Sequence, residues 1–347
     1  MPARLPSDLL NRPAQESSRL LALSQLDQID RALRRLNRSE DREALHDFRV
    51  GLRRLRCSLR AYRVQLKGSV TGRMRTQIRQ VARSTNQSRD TEVQLAWLRS
   101  QAEHLGAKET PGLFWLAGRL EGGKQEMHDQ DTSGVARRYT RVAAKFRRVL
   151  GILRIDLDYG RGQRMATFGE VTGGLVRQQV ARLRDDLIRI RGVSDVKEIH
   201  KARISGKRLR YLLEPIARRD RRAGALVRRL KEAQDLLGEH HDMHLLLGVI
   251  ASLRTGIPAS GFSGLEPGLA TLARLAEERA AAAFERFHSV WGGDLAGRIL
   301  TRADELGKSL GQPSSPPGND MPGLAPQPSV GHPARIEVAE PMVTETG

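Results

Sequence analysis

The chain has 347 residues, enough to bury a sizeable core and to form two domains of ordinary size. Its 59 Lys and Arg against 40 Asp and Glu leave a formal charge of +19, a surplus that points to polyanionic partners and does not bear on fold. The lone Cys57 excludes an intrachain disulfide framework, the opening segment has no apolar run of signal-peptide length, and the most apolar stretch, near 245–253, is far short of the roughly 20 residues a membrane helix needs.

A soluble protein of a reducing, cytoplasmic setting is therefore expected. Residues 1–16 read as a flexible N-terminal arm. Beyond them apolar residues recur at three and four spacings with no sustained alternation, which predicts an all-α chain. The spacing places helices over 17–37, 41–66, 70–104 and 111–153, then over 168–191, 195–220, 222–253 and 267–308. Asp195 with Glu198 has the form of a capping box, Gly68 and Gly106 close helices, and Pro111 and Pro267 suit first turns. The glycines of 158–163 interrupt the pattern and mark a hinge, so a first four-helix bundle is expected over 17–160 and a second over 161–310. From 311 to 347 the composition changes, with 8 of the 15 prolines in 37 residues, and a disordered tail is expected.

The chain also carries an internal duplication. Setting residue 46 on residue 200, a displacement of 154, brings Leu26, Ile29, Leu33 and Leu36 onto Val180, Leu183, Leu187 and Ile190 without a gap. The match continues as His46, Arg49, Val50, Arg53, Arg54, Leu55 and Arg56 on His200, Arg203, Ile204, Lys207, Arg208, Leu209 and Arg210. Further on, Arg89-Asp90 meets His241-Asp242 and Pro111-Gly112-Leu113 meets Pro267-Gly268-Leu269, so loop lengths differ slightly between the copies.

Charge on the second helix of each copy is one-sided. At about 100° per residue, His46, Arg49, Arg53, Arg56, Arg60 and Arg63 fall within an arc of roughly 100°. Phe48, Leu52, Leu55, Leu59 and Tyr62 gather in a separate arc of roughly 80°, the predicted core face. In the second copy His200, Arg203, Lys207 and Arg210 repeat the stripe, backed by Ala202, Leu209 and Leu213, with Glu214 in the place of Arg60. A solvated helix face usually mixes signs. Here, between Asp47 and Asp90, twelve basic residues stand with no acidic one. Like charges at i,i+4 destabilise a helix, so the stripe implies an anion supplied from outside, gripped by planar guanidinium forks. Arg75, Arg79 and Arg83 follow at i,i+4 spacing, and Arg228 and Lys231 lie in the corresponding region of the second copy. A neutral imidazole at His46 or His200 can donate to phosphate, and an adjoining polyanion favours its charged form.

These residues resemble the CHAD family, the conserved histidine α-helical domain. The pattern His-x-x-Arg-hydrophobic-x-x-basic-Arg-x-Arg stands at His46 to Arg56 and again at His200 to Arg210, and a Leu-Gly-x-x-basic-Asp element stands at Leu237 to Asp242. The resemblance spans about 17–308. It implies a pair of four-helix bundles related by pseudo-twofold symmetry around a cavity that binds inorganic polyphosphate, often on polyphosphate granules. The residues it implicates are the two stripes with their flanking Arg54 and Arg208, the third-helix cations, and Arg89 and His241. Two positions depart from the pattern: Thr85-Asn86 replaces Leu-Gly in the first copy, and His241 replaces the usual Arg before Asp242. Relatives often carry a CYTH triphosphatase domain ahead of this one. Nothing before Leu20 fits it, so a stand-alone binding module without hydrolytic activity, cofactor or metal is expected.

Two other readings compete. His200, His240, His241, Asp242 and His244, with Asp294 as a distant fourth ligand, resemble the pattern of helical metal phosphohydrolases, in which a divalent ion activates water. Against it, Arg89 stands in the first copy where His241 stands in the second, and arginine does not ligate metals; Asp90 and Asp242 then serve to orient basic neighbours. A nucleic-acid backbone would also be drawn to a basic groove. However, aromatic residues are 4% of the chain and Phe48 and Tyr62 fall on the core face, so stacking platforms are scarce. Cys57 lies beside the stripe, where positive potential would lower a thiol pKa; the plainer reading is a small packing residue.

Overall fold

The structure, a computed structural model, describes residues 5–36, 42–152, 164–255 and 263–312, apart from the side chains of 42, 86–89 and 124–133. It is all-α. In chain order the helices are α1 (Ala14–Leu36), α2 (Arg42–Ala61), α3 (Gly72–Ser84), α4 (Asn86–Gln101), α5 (Thr110–Gly151), α6 (Phe168–Ile188), α7 (Val196–Leu213), α8 (Arg221–Arg254), α9 (Glu266–Trp291) and α10 (Asp294–Leu310). A short 3₁₀ turn, Ala102–His104, follows α4. The expected hinge at 158–163 and nearly all of the expected tail lie outside the described residues.

Two long helices expected from the periodicity are broken. The one expected over 70–104 splits at Thr85, where the Ser84 hydroxyl donates to the Val81 carbonyl at 3.1 Å and the Thr85 hydroxyl to that of Ala82 at 3.0 Å. Paired hydroxyls compete with the backbone for its acceptors and so weaken continuation. The counterpart α8, with Leu237-Gly238 at that point, runs on unbroken. The helix expected over 267–308 splits at Gly292-Gly293, where two glycines in succession forfeit about 1 kcal/mol each relative to alanine. The helix expected to reach 66 ends at Ala61 and passes through turns to Gly68, whose φ of +87° is the left-handed conformation that glycine adopts freely.

Caps follow side-chain chemistry. Asp195 does not form the expected capping box: its carboxylate turns back to accept from the amides of Arg191 (2.7 Å) and Gly192 (3.1 Å). The box forms at α6 instead, where the Thr167 hydroxyl and the Glu170 carboxylate satisfy each other's amides. Thr71 caps α3, Asp220 caps α8, and Pro111 and Pro267 occupy first turns as expected.

Packing joins the two halves through corresponding elements. α1 lies against α6, α2 against α7, α4 against α8 and α5 against α9, the pattern an approximate twofold relation produces. The main core draws on both halves, from Leu26, Phe48, Leu55 and Tyr139 to Val176, Leu209, Leu230 and Phe287. A smaller core gathers Leu98, Leu116, Met243, Leu246 and Leu272. Residues 5–13, expected to be part of a flexible arm, are tied across the halves. Leu9 is buried, and the carbonyls of Leu10 and Arg12 accept from the amides of Gly169 (2.8 Å) and Phe168 (2.9 Å) at the start of α6.

The halves bring backbone against backbone at the repeated Pro-Gly-Leu. A Cβ on Gly112 would lie 2.8 Å from the Gly268 Cα, and one on Gly268 would lie 2.0 Å from the Glu109 carbonyl oxygen. Backbone cannot yield to such a contact as a flexible side chain would. Gly268→Ala is therefore expected to destabilise the protein by about 1–3 kcal/mol, the usual cost of overpacking, read as a lowered denaturant midpoint. An unchanged midpoint would show that the crossing is looser than described.

Candidate functional site

Burial of Phe48, Leu52, Leu55, Leu59 and Tyr62 holds α2 with its apolar face in the core, as its periodicity predicts. The α2 stripe is thereby turned toward α3, α6 and α7, and between these four helices lies a cavity of about 1130 Å³. α2 supplies Arg53, Arg56 and Arg60, with Arg63 just beyond its end; α3 supplies Arg75 and Arg79. From the second half come Arg182 on α6 and Lys207 and Arg208 on α7. Among the described residues no Asp or Glu lines it. The uncharged part of the wall includes Leu59, Ile78, Leu175 and Ile204, with Gln178, Gln179 and Thr76 offering neutral polar groups.

This concentration of one sign has measurable consequences. Burial lowers the pKa of Arg56, and Arg79, Arg83 and Arg53 lower it further. Burial likewise lowers that of Arg208, with Arg60 and Arg182 contributing. Both stay charged at neutral pH, as arginine does. Lysine is more easily moved: burial, then Arg203 and Arg53, push Lys207 down to about 7 against an opposing pull from Asp242. Cys57 goes up, because burial outweighs Arg56, Arg208, Arg53 and Arg60 around it, and this favours its plainer reading as a packing residue.

The remaining residues of the expected site fall into distinct places. Arg49, Arg203, His200 and His241 lie outside the cavity lining, the two arginines with acidic residues near them. The Arg49 side chain, 4% exposed, has Nη1 3.4 Å from a Glu92 carboxylate oxygen. Arg203 is lowered by burial and by Arg53, with Asp242 and Asp90 opposing. The His200 and His241 rings lie 4.7 Å apart. Burial, then Arg203, His200 and Lys207, drive His241 down to about 4, and burial with Arg203 and Lys207 lowers His200, so both imidazoles are neutral at pH 7. Arg54 and Arg210 are drawn onto Glu214, away from the cavity lining. His46, Arg83 and Arg228 are exposed, and Lys231 forms an exposed pair with Asp235 at 3.3 Å. The Arg89 side chain lies outside the described residues.

The metal reading finds no geometric support: among the described residues no three His, Cys, Asp or Glu side chains converge as a ligand set. The surroundings explain this. His241 faces His200 amid Arg203 and Lys207, cations that repel a metal ion, while His240 packs against the tilted ring of His244 and sits 3.4 Å from the Val193 carbonyl. Arg182 was not anticipated from sequence. It sits on a helix that mixes Arg177, Arg182 and Arg184 with Asp185 and Asp186, so no one-sided stripe marks it.

Lys207 gives the site a pH signature. Its folded pKa lies below its ordinary 10.5, so between pH 7 and 10.5 the unfolded chain binds more protons, and the ligand-free protein gains stability from this group as pH rises across that window. Lys207→Met is expected to flatten the slope of denaturant midpoint against pH between 7 and 9. Parallel slopes in the two proteins would mean an ordinary, solvated amine.

The family model for the CHAD domain matches residues 21–251. Two solved structures share the fold. The CHAD domain from the plant Ricinus communis is 20% identical, with a TM-score of 0.62, covering 83% of this chain and 95% of that one. PptA from Streptomyces chartreusis is 17% identical, with a TM-score of 0.61, covering 81% of this chain and all of the other. No curated protein matches the chain in sequence.

Proposed function

This chain belongs to the CHAD domain family, and on that premise we propose that it binds inorganic polyphosphate, without catalysis, in the cavity between α2, α3, α6 and α7. One observation carries the reading: among the described residues, nine Arg and Lys side chains share one cavity wall with no carboxylate beside them. Like charges gathered on one wall repel one another, and a polyanion from outside relieves that repulsion. Guanidinium groups meet phosphate oxygens in pairs, which makes arginine the fitting residue type.

A linear anion suits the site better than a single phosphate. From Arg53 to Arg60 the stripe extends about 10 Å at 1.5 Å per residue, and Arg63 continues it beyond the helix end. The cavity is also many times the roughly 30 Å³ of a water molecule, so it has room for a string of charged groups with their waters. Lys207, half neutral near pH 7 when the cavity is empty, takes up a proton as the anion enters. Each half of the chain, 17–160 and 161–310, contributes one stripe helix. In this reading the setting is the cytoplasm, on polyphosphate granules, as the family resemblance implies; no described helix is long and apolar enough to cross a membrane.

Nucleic acid fits less well because the two aromatic residues of the lining, Tyr62 and Tyr211, are only 1% and 6% exposed and present no face on which a base could stack. The test is a titration of labelled long-chain polyphosphate at fixed ionic strength with RNA as competitor. A triple variant, Arg53→Ala, Arg60→Ala and Arg79→Ala, is expected to keep its helical circular dichroism and to bind on the order of 100-fold or more weaker, since each charged hydrogen bond contributes about 1.5–3 kcal/mol. Equal affinities in variant and parent would refute the cavity as the site. Preferential displacement by RNA would favour a nucleic-acid role.

A further inference from the structure

The two halves bring unequal chemistry to the contact between α2 and α7. Under the displacement of 154 residues, Arg56 corresponds to Arg210, Arg60 to Glu214, and Arg54 to Arg208. One member of each pair, namely Arg56, Arg60 and Arg208, lines the open cavity. The other three form a closed triad. Arg54 Nε donates to Glu214 Oε2 at 2.7 Å, and Arg210 Nη1 donates to the other oxygen of the same carboxylate. Arg210 is held further by a 2.8 Å bond from its Nε to Gln234 Oε1 and by the Tyr211 ring, whose centroid is 4.5 Å from the guanidinium carbon. The Glu214 and Arg210 side chains are each 15% exposed.

A carboxylate with a guanidinium on each of its oxygens stands in the place a phosphate would take between the same two arginines. We propose that Glu214 is a built-in anion that closes the counterpart of the cavity by holding Arg54 and Arg210, so that an external polyanion is confined to one of two related grooves. In the stretch of α8 corresponding to Arg75 and Arg79, Arg228 is exposed and Lys231 pairs with Asp235 at 3.3 Å. On this proposal the duplication supplies two related sites and a single acidic side chain shuts one. This rests on the reading of the open cavity as a polyanion site.

Glu214→Gln keeps the shape of the side chain and removes its charge, leaving Arg54 and Arg210 unmatched. With tripolyphosphate as the probe in a calorimetric titration at fixed ionic strength, the parent protein is expected to bind about one equivalent per chain and the variant about two. The variant is also expected to melt at a lower temperature alone and to regain the difference when tripolyphosphate is added. A parent that binds and a variant with the same stoichiometry would overturn the role of Glu214 and leave the cavity standing. Binding by the variant alone would do the reverse, and binding by neither would overturn both. The parent protein offers a second measurement that needs no substitution. Arginine side-chain NMR should show Arg56, Arg60 and Arg208 shifting with tripolyphosphate while Arg54 and Arg210 stay in place. Equal shifts across all five would count against an internal anion.

Discussion

Like-charge repulsion that the chain does not itself neutralise is the constraint on which the candidate site depends. α2 has no freedom to relieve it by rotation, because Phe48, Leu52, Leu55, Leu59 and Tyr62 anchor its other face in the core. α7 is held in the same way by Ala202, Leu209 and Leu213. Apolar burial, at roughly 25 cal/mol per Å², therefore provides the force that keeps the cations assembled. The same arrangement leaves the cavity wall charged and open, and drives the one lysine in it toward neutrality.

The contact between halves explains how the cavity is held at a fixed width. Corresponding helices lie against one another, the Gly112–Gly268 crossing brings backbone against backbone, and the N-terminal segment laces onto the start of α6. A site whose walls come from both halves would lose its geometry if the halves slid. Departures from equivalence occur both away from these crossings and at one of them. They are the break at Thr85, the break at Gly292-Gly293, and the Glu214 triad between α2 and α7, which pairs two arginines internally.

The histidines belong to a different environment from the one their place in the stripe suggests. His200 and His241 pack against each other with tilted rings among Arg203 and Lys207, and burial with these neighbours keeps both neutral at pH 7. Asp90 and Asp242 pull Arg203 upward against its burial. Along α2 the stripe has two zones, with Arg49 beside Glu92 at one end and basic residues lining the cavity from Arg53 outward, whereas on α7 Glu214 interrupts it.

Local pattern was enough to read from sequence that the chain is helical, which face of α2 is buried, where prolines open helices, and that Arg53, Arg56 and Arg60 share one face of α2. Each of these follows from spacing within a few turns of one helix, where 3.6-residue geometry relates neighbours directly. Tertiary structure alone decided the rest. Arg54 meets Glu214 across 160 positions, Arg182 reaches the cavity from a helix of mixed charge, and Asp195 turns away from the helix it was expected to cap. Such pairings depend on which helices cross and at what distance, and that is set by the packing of the whole core, which no local spacing encodes.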